Sequence, residues 1–229
     1  MLKFFHHLTD LIYPNLCLIC SESLVAGESQ LCVKCFNSIP KTNYHLLKNN
    51  PVEKRFWGKV PVERASSYFF FQKGSDFQKL IHELKYRGNK EAGIATGKYA
   101  AADLLESPDF MSIDVIIPVP LHPKKEAKRG YNQSYIIGEG MAEILAKPLV
   151  GNNLIRVQER TTQTRKSVFE RFENTQGIFE LRNPDELRGK HVLLVDDVLT
   201  TGSTLEACIQ TLLEADDLKI SVFTLAVAM

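Results

Sequence analysis

The sequence predicts an α/β protein in which a mostly parallel sheet is flanked by helices, with a small cysteine-rich segment at its N-terminus. Three observations predict it. From Val60 onward strand-like and helix-like patterns alternate, which is the rhythm of βαβ units. Two of the strand-like runs, residues 113–119 and 191–195, are apolar without alternation, as strands covered on both faces are. Four of the five cysteines fall within the first 35 residues. A chain of 229 residues is long enough for one full α/β domain and a small appendage. The net charge of +1 gives no global reason to expect nucleic acid or a membrane surface as partner. No apolar run reaches the ~18–20 residues of a bilayer span.

The N-terminal stretch MLKFFHHLTDLIYP reads as a short amphipathic helix, with Phe4, Phe5, Leu8, Leu11 and Ile12 on one face and Pro14 ending it. His6, His7 and Asp10 interrupt its apolar character and no small-residue cleavage site follows, which argues against a secretory signal. The expected compartment is the cytoplasm, where thiols stay reduced. Next come Cys17-x-x-Cys20 and Cys32-x-x-Cys35, with eleven residues between the pairs and Gly27 as a turn residue. Two such turns supply four thiolates, the soft tetrahedral set that zinc takes in closed, structural sites. A redox pair or two disulfides are the alternative readings, and the duplication and the reducing compartment weigh against both. A segment of ~35 residues has too little core to fold unaided, so the metal would supply its folding energy. The polar, irregular stretch 41–59, with Asn49-Asn50-Pro51, looks like a linker. The expected division is 1–45 for the N-terminal helix and cysteine domain, 46–60 for the linker, and 61–229 for the α/β domain.

Within the α/β domain, residues 65–71 read as a strand. Residues 75–85 read as a helix with Ser75 as N-cap and Phe77, Leu80, Ile81 and Leu84 as its buried stripe. Residues 91–105 give a second helix, 113–119 a buried strand, 132–146 a helix, 191–195 a buried strand, 202–215 a helix and 219–228 a final strand. Cys208 lies at helical spacing with Leu205 and Leu212 and reads as a small core residue.

Residues 192–204 read VLLVDDVLTTGST. A buried strand ends in two carboxylates, and small hydroxyl residues around a glycine then open a helix. Open α/β sheets bind ligands at the carboxyl ends of their strands. Gly202 lets backbone N–H groups approach an anion, Thr200, Thr201, Ser203 and Thr204 add hydroxyl donors, and the helix N-terminus adds its dipole. Asp196 and Asp197 repel phosphate but suit a ribose diol or an accompanying Mg²⁺. Helix capping would explain one Asp or one Thr, but not two Asp and four hydroxyls around one Gly. There is no Gly-Lys-Thr/Ser sequence, so a nucleoside-triphosphate loop is not supported.

This stretch resembles, without departure, the phosphoribosyl pyrophosphate (PRPP) signature of type I phosphoribosyltransferases. The resemblance implies that Thr200, Thr201, Gly202, Ser203 and Thr204 hold the 5-phosphate, and that Asp196 and Asp197 hold the ribose hydroxyls and serve any catalysis. Three further segments, IPVPLHPKKEAKRGYNQ at 117–133, TTQTRKSVFERFEN at 161–174 and LKYRG at 84–88, together with the cysteine pairs, resemble the ComF family of competence proteins along nearly the whole chain. The resemblance implies a type I phosphoribosyltransferase-like domain joined to a four-cysteine zinc domain, a role in DNA uptake for natural transformation, and single-stranded DNA and other competence proteins as partners. It also implies that the loop after strand 113–119 meets pyrophosphate, where Lys124, Lys125, Lys128 and Arg129 would serve, with Lys85 and Arg87 adding to the site. Residues 161–171 would be a hood bringing Arg165 and Lys166 to the ligand. Any single one of these lysines also reads as part of a solvated basic helix face. From Leu121 to Arg171 there are ten Lys/Arg against five Asp/Glu, so the balanced whole hides one basic side. Tyr131 and Tyr135 read equally as rings for base stacking or as rings packed on the sheet. Two classes of function remain: transfer of phosphoribose from PRPP to an unknown acceptor, and a non-catalytic module that binds single-stranded DNA or senses PRPP.

Overall fold

The structure is a computed structural model that describes residues 14–157 and 177–228. The expected N-terminal helix, and the expected hood with Arg165 and Lys166, lie outside the described residues. After the short helix α1 (Val33–Asn37) come β1 (Ala65–Phe71), α2 (Gln78–Tyr86), α3 (Lys90–Leu104), α4 (Pro108–Met111) and β2 (Val115–Pro118). Then follow α5 (Pro123–Arg129), α6 (Gln133–Leu145), β3 (Leu154–Arg156), β4 (Phe179–Leu181), β5 (His191–Leu199), α7 (Ser203–Leu212) and β6 (Lys219–Ala228).

Four strands form one parallel sheet in the order β1-β6-β5-β2. Residues 148–150 extend it beyond β2 through bonds between Ile116 and both Pro148 and Val150. The two central strands follow the two outer ones in the chain and read as continuous apolar runs because both faces are covered. Leu193, Val195, Phe223 and Leu225 belong to a core that includes Leu80, Ile81, Leu84, Ile137 and Met141 of α2 and α6. Val192, Leu194, Ile220 and Val222 share a second core with Leu205, Cys208, Ile209 and Leu212 of α7. Cys208 is fully buried there, the core role its spacing predicts.

Helices α3 and α6 pack with little between their backbones. A Cβ on Gly97 would lie 2.3 Å from the Ile137 carbonyl oxygen, and one on Gly140 would lie 2.1 Å from that of Ile94. Only glycine permits such an approach.

Several expectations need correction. Helix α2 starts at Gln78 rather than at 75, and its N-cap residue is Phe77, with no side-chain cap, so Ser75 does not fill that role. The segment after β2, read as a loop or as a solvated basic helix face, is the helix α5, with Pro123 in its first turn and Gly130 beyond its end at φ +85°. Strand β5 runs on to Leu199 because it keeps pairing with β6 as far as Val227. The antiparallel pair β3–β4 has no counterpart in the sequence reading. The stretch read as a linker is irregular but packed. Val52 and Phe56 are buried, and the Asn50 side chain donates to the carbonyls of Tyr44, Leu47 and Ala65 while accepting from Val52 N–H.

Candidate functional site

The site lies where β2 and β5, neighbours in the sheet, end side by side. Val119 N–H donates to the Val195 carbonyl at 2.8 Å and fixes the two ends together. Past this point β5 carries Asp196 and Asp197, and the chain turns through residues 200–202 into α7. The turn encloses a hollow of about 80 Å³ lined by Asp196 and residues 198–205. Gly202 caps the helix at φ +91° and has no side chain to fill the helix start, where the Ser203 N–H meets only the Thr201 hydroxyl at 3.5 Å, and such a start suits an anion. A Cβ there would meet no protein atom closer than 3.4 Å, and the positive φ by itself favours glycine.

The turn is held from an unexpected side. Arg55, in the packed stretch before β1, donates to the Thr200 carbonyl and, at 2.9 Å, to that of Ala228. Lys59 pairs with Glu206 in the first turn of α7 at 2.7 Å. Arg55 lies 145 residues from Thr200 in sequence, and no local pattern announces either anchor.

The hollow borders a cavity of about 590 Å³ whose lining includes Asp196, Asp197, Thr200 and Thr204. Asp197 is 5% exposed. Lys85 Nζ stands 3.0 Å from its Oδ2, yet the pair lacks hydrogen-bond direction, and that buried oxygen has no hydrogen-bond partner. Asp196 accepts from Ser134 Oγ at 2.8 Å and from Asp197 N–H at 2.9 Å. Burial, and then the charge of Asp197, push the Asp196 carboxyl up to about 7 against the pull of those bonds and of Lys85. The far wall is aromatic, with Phe71, His82 and Tyr86, and His82 and Tyr86 sit 4.9 Å apart.

The expected cations divide. Lys85 and Lys125 line the cavity. Arg87 pairs with Glu83 at 3.2 Å, and Arg129 turns back to Gln133, so neither is in the lining. Lys124 and Lys128 lie on α5 outside it as well. Arg156 at the end of β3 lines the cavity and was missed, because a three-residue strand leaves no pattern to read. Tyr131 is buried, its hydroxyl donating to the Leu84 carbonyl at 2.5 Å, so it is no stacking platform; Tyr135 is 40% exposed.

Apart from this site, the Sγ atoms of Cys17, Cys20, Cys32 and Cys35 lie within 4.8 Å of one another and could hold a metal ion. The separation of 3.7 Å between Cys20 and Cys32 is close to the ~3.8 Å edge of a tetrahedron with ~2.3 Å metal–sulfur bonds. It is far beyond the ~2.05 Å of a disulfide. Burial raises the Cys17 thiol, but backbone N–H groups around it outweigh that and bring it to about 7, while burial and the neighbouring cysteines push the Cys35 thiol up.

Residues 131–229 match the family model described as a phosphoribosyl transferase domain. The chain is 31% identical over 226 residues to "DNA utilization protein YhgH" of Salmonella typhimurium, covering 94% of this chain and 98% of that protein. To "Competence protein F" of Haemophilus influenzae it is 36% identical over 114 residues, 49% of this chain and 50% of that one. Among solved structures it is similar to the glutamine PRPP amidotransferase of B. subtilis complexed with ADP and GMP, at 20% identity and a TM-score of 0.42. That match covers 62% of this chain and 30% of the amidotransferase, so the chain spans under a third of that enzyme.

Proposed function

The chain belongs to the ComF family of competence and DNA-utilization proteins, and from that premise we propose that it binds PRPP at the ends of β2 and β5 and acts in DNA uptake. The supporting observation is the 80 Å³ hollow within the turn, opening beside an acidic pair, one of its members buried, in one larger cavity. The hollow offers amides and hydroxyls to the 5-phosphate, and the acidic pair accepts from the ribose hydroxyls. Lys85, Lys125 and Arg156 face the pyrophosphate. The hard oxygens of Asp196 and Asp197, one of them without a hydrogen bond, also suit a Mg²⁺ ion, which would neutralise charge on a leaving pyrophosphate. The division of the chain at 45 and 60 belongs to this reading, with zinc on the four cysteines as a structural ion.

Transfer of phosphoribose to an acceptor is the reaction these groups would serve, with the carboxylates stabilising positive charge on the ribose. A non-catalytic module that senses PRPP or binds single-stranded DNA is favoured by one observation: Lys85 already occupies Asp197. Release of pyrophosphate from PRPP and Mg²⁺, tested against bases and oligonucleotides, separates the two.

Binding itself is checked by calorimetry. Ribose 5-phosphate should compete with PRPP and ribose should not. Asp197→Ala should weaken PRPP by roughly ten- to hundredfold, the loss of a charge-assisted bond worth ~1.5–3 kcal/mol. Absence of heat from PRPP and Mg²⁺ on folded, zinc-loaded protein would remove this reading.

A further inference from the structure

A second and larger cavity, about 810 Å³, lies on the other side of the turn after β2. The two cavities share Pro120 and Leu121 as a dividing wall, and Arg156 lines both. Its volume falls within the ~300–1,000 Å³ usual for ligand pockets. Three cations line it, Lys90, Arg156 and Arg182, against a single carboxylate, Glu126. Among the described residues none of the three pairs with a carboxylate. Three cations around one hollow, none of them paired with a carboxylate among the described residues, favour an anion in it.

The same cavity contains an aromatic platform. Tyr135, on the first turn of α6, is 40% exposed. Its ring lies against Gly151, where even a Cβ would come within 2.6 Å of the ring carbons. Glycine at 151 therefore lets the ring lie down on the backbone, with part of its surface left open. Leu149, Leu154 and Ile155 add apolar wall. A ring held in place costs little entropy when another ring stacks on it.

We propose that this cavity binds a nucleotide unit, with its phosphate among Lys90, Arg156 and Arg182 and its base on Tyr135. The site is separate from the phosphate-binding turn and takes its ligand without the acidic pair. The shared chemistry, an anionic phosphate carrying a flat ring, comes either as a free nucleotide or as one unit of a single strand.

Calorimetry with two probes, AMP and a short oligothymidylate, tests this on the full zinc-loaded chain. Each titration is run with saturating ribose 5-phosphate and Mg²⁺, so that the turn after β5 is filled. A separate titration of ribose 5-phosphate alone reports on that turn, so failure there and failure here are told apart. We expect at least one probe to bind, with oligothymidylate alone pointing to a strand and AMP alone to a free nucleotide. Tyr135→Ala should weaken that probe roughly five- to hundredfold, the size of one lost base–aromatic stack, and Tyr135→Phe should restore it. Arg182→Gln should weaken it and reduce its salt dependence. Both variants should keep the wild-type response to ribose 5-phosphate, since neither residue lines the first cavity. Binding of neither probe, binding abolished by ribose 5-phosphate, or binding indifferent to Tyr135→Ala and Arg182→Gln would overturn the proposal.

Discussion

Asp196 sits where its own charge is disfavoured, and that can be measured. In the unfolded chain an aspartate loses its proton near ~3.9. In the fold, burial and the neighbouring Asp197 hold this one up to about 7. Between those values the folded protein keeps a proton that the unfolded chain has released. Its contribution to stability is therefore full below about 3.9 and falls as pH rises through about 7. Asp196→Asn removes the titration. Thermal unfolding should show the variant more stable than wild type above about pH 7, with the gap closing toward about pH 4. A gain of about 1 kcal/mol corresponds to roughly 2–4 °C for a chain of this size. The ligand prediction has the opposite slope. A diol or a cation needs the ionised carboxylate, so calorimetric affinity for PRPP with Mg²⁺ should climb by up to roughly tenfold per unit as pH rises to about 7 and then level off. A flat profile would show that Asp196 does not touch the ligand. The acidic pair itself was legible in the sequence because its residue types and order are local. Which cations join it was not: Lys85 and Arg87 look alike in the string, and only the turn of α2 sends one to Asp197 and the other to Glu83.

Helices α3 and α6 show what an element's pattern reveals and what it hides. Residues 91–105 were expected to be helical, and the helix runs Lys90–Leu104, with Asn89 capping Ala92 N–H at 2.9 Å. The spacing of Gly93 and Gly97 four residues apart is visible in the sequence, but the helix they meet is not. Gly140→Ala places a methyl group on the Ile94 carbonyl and should cost about 1–3 kcal/mol as the helices part. A lower unfolding temperature with unchanged helical content by circular dichroism is the expected result; an unchanged temperature would mean that the crossing is looser than described. The missed elements failed for physical reasons. Strands β3 and β4 have three residues each, too few for any period to emerge. Helix α5 agrees with the reading of its lysines as a solvated basic helix face rather than as a loop, and Pro123 and Gly130 bracket it in the way proline and glycine bracket helices. Ser75 matched a capping signal ahead of the observed start, but it is its carbonyl, not its side chain, that accepts from Gln78 N–H.

Across the whole molecule, the cysteine segment packs against the α/β part of the chain. Cys17, Ile19 and Leu31 share the core that contains Leu80 and Leu84, Phe36 meets Tyr99 edge-on at 4.8 Å, and Lys79 Nζ donates to the Ile19 carbonyl at 2.6 Å. Four thiols alone do little to hold that segment, whereas an ion among them would bind its two turns together. Elemental analysis should find one zinc per chain. Cys32→Ser, or a strong chelator, should lower the unfolding temperature and expose the core beneath, seen as binding of a hydrophobic dye. Folded protein without metal and indifferent to chelator would refute the zinc assignment. The order of strands in the sheet has another consequence, in time rather than in space. β1 pairs only with β6 among the named strands, from Ala65 against Val222 to Phe71 against Ala228, and β2 pairs only with β5. As the chain leaves the ribosome, the edge of β1 that β6 will cover and the edge of β2 that β5 will cover stay bare until those two strands follow. Closing the sheet waits on β6, so the domain cannot complete itself strand by strand as it is made. Until β5 and β6 emerge, the nascent chain presents two apolar strands each with one open edge, and it depends on whatever in the cell shelters them.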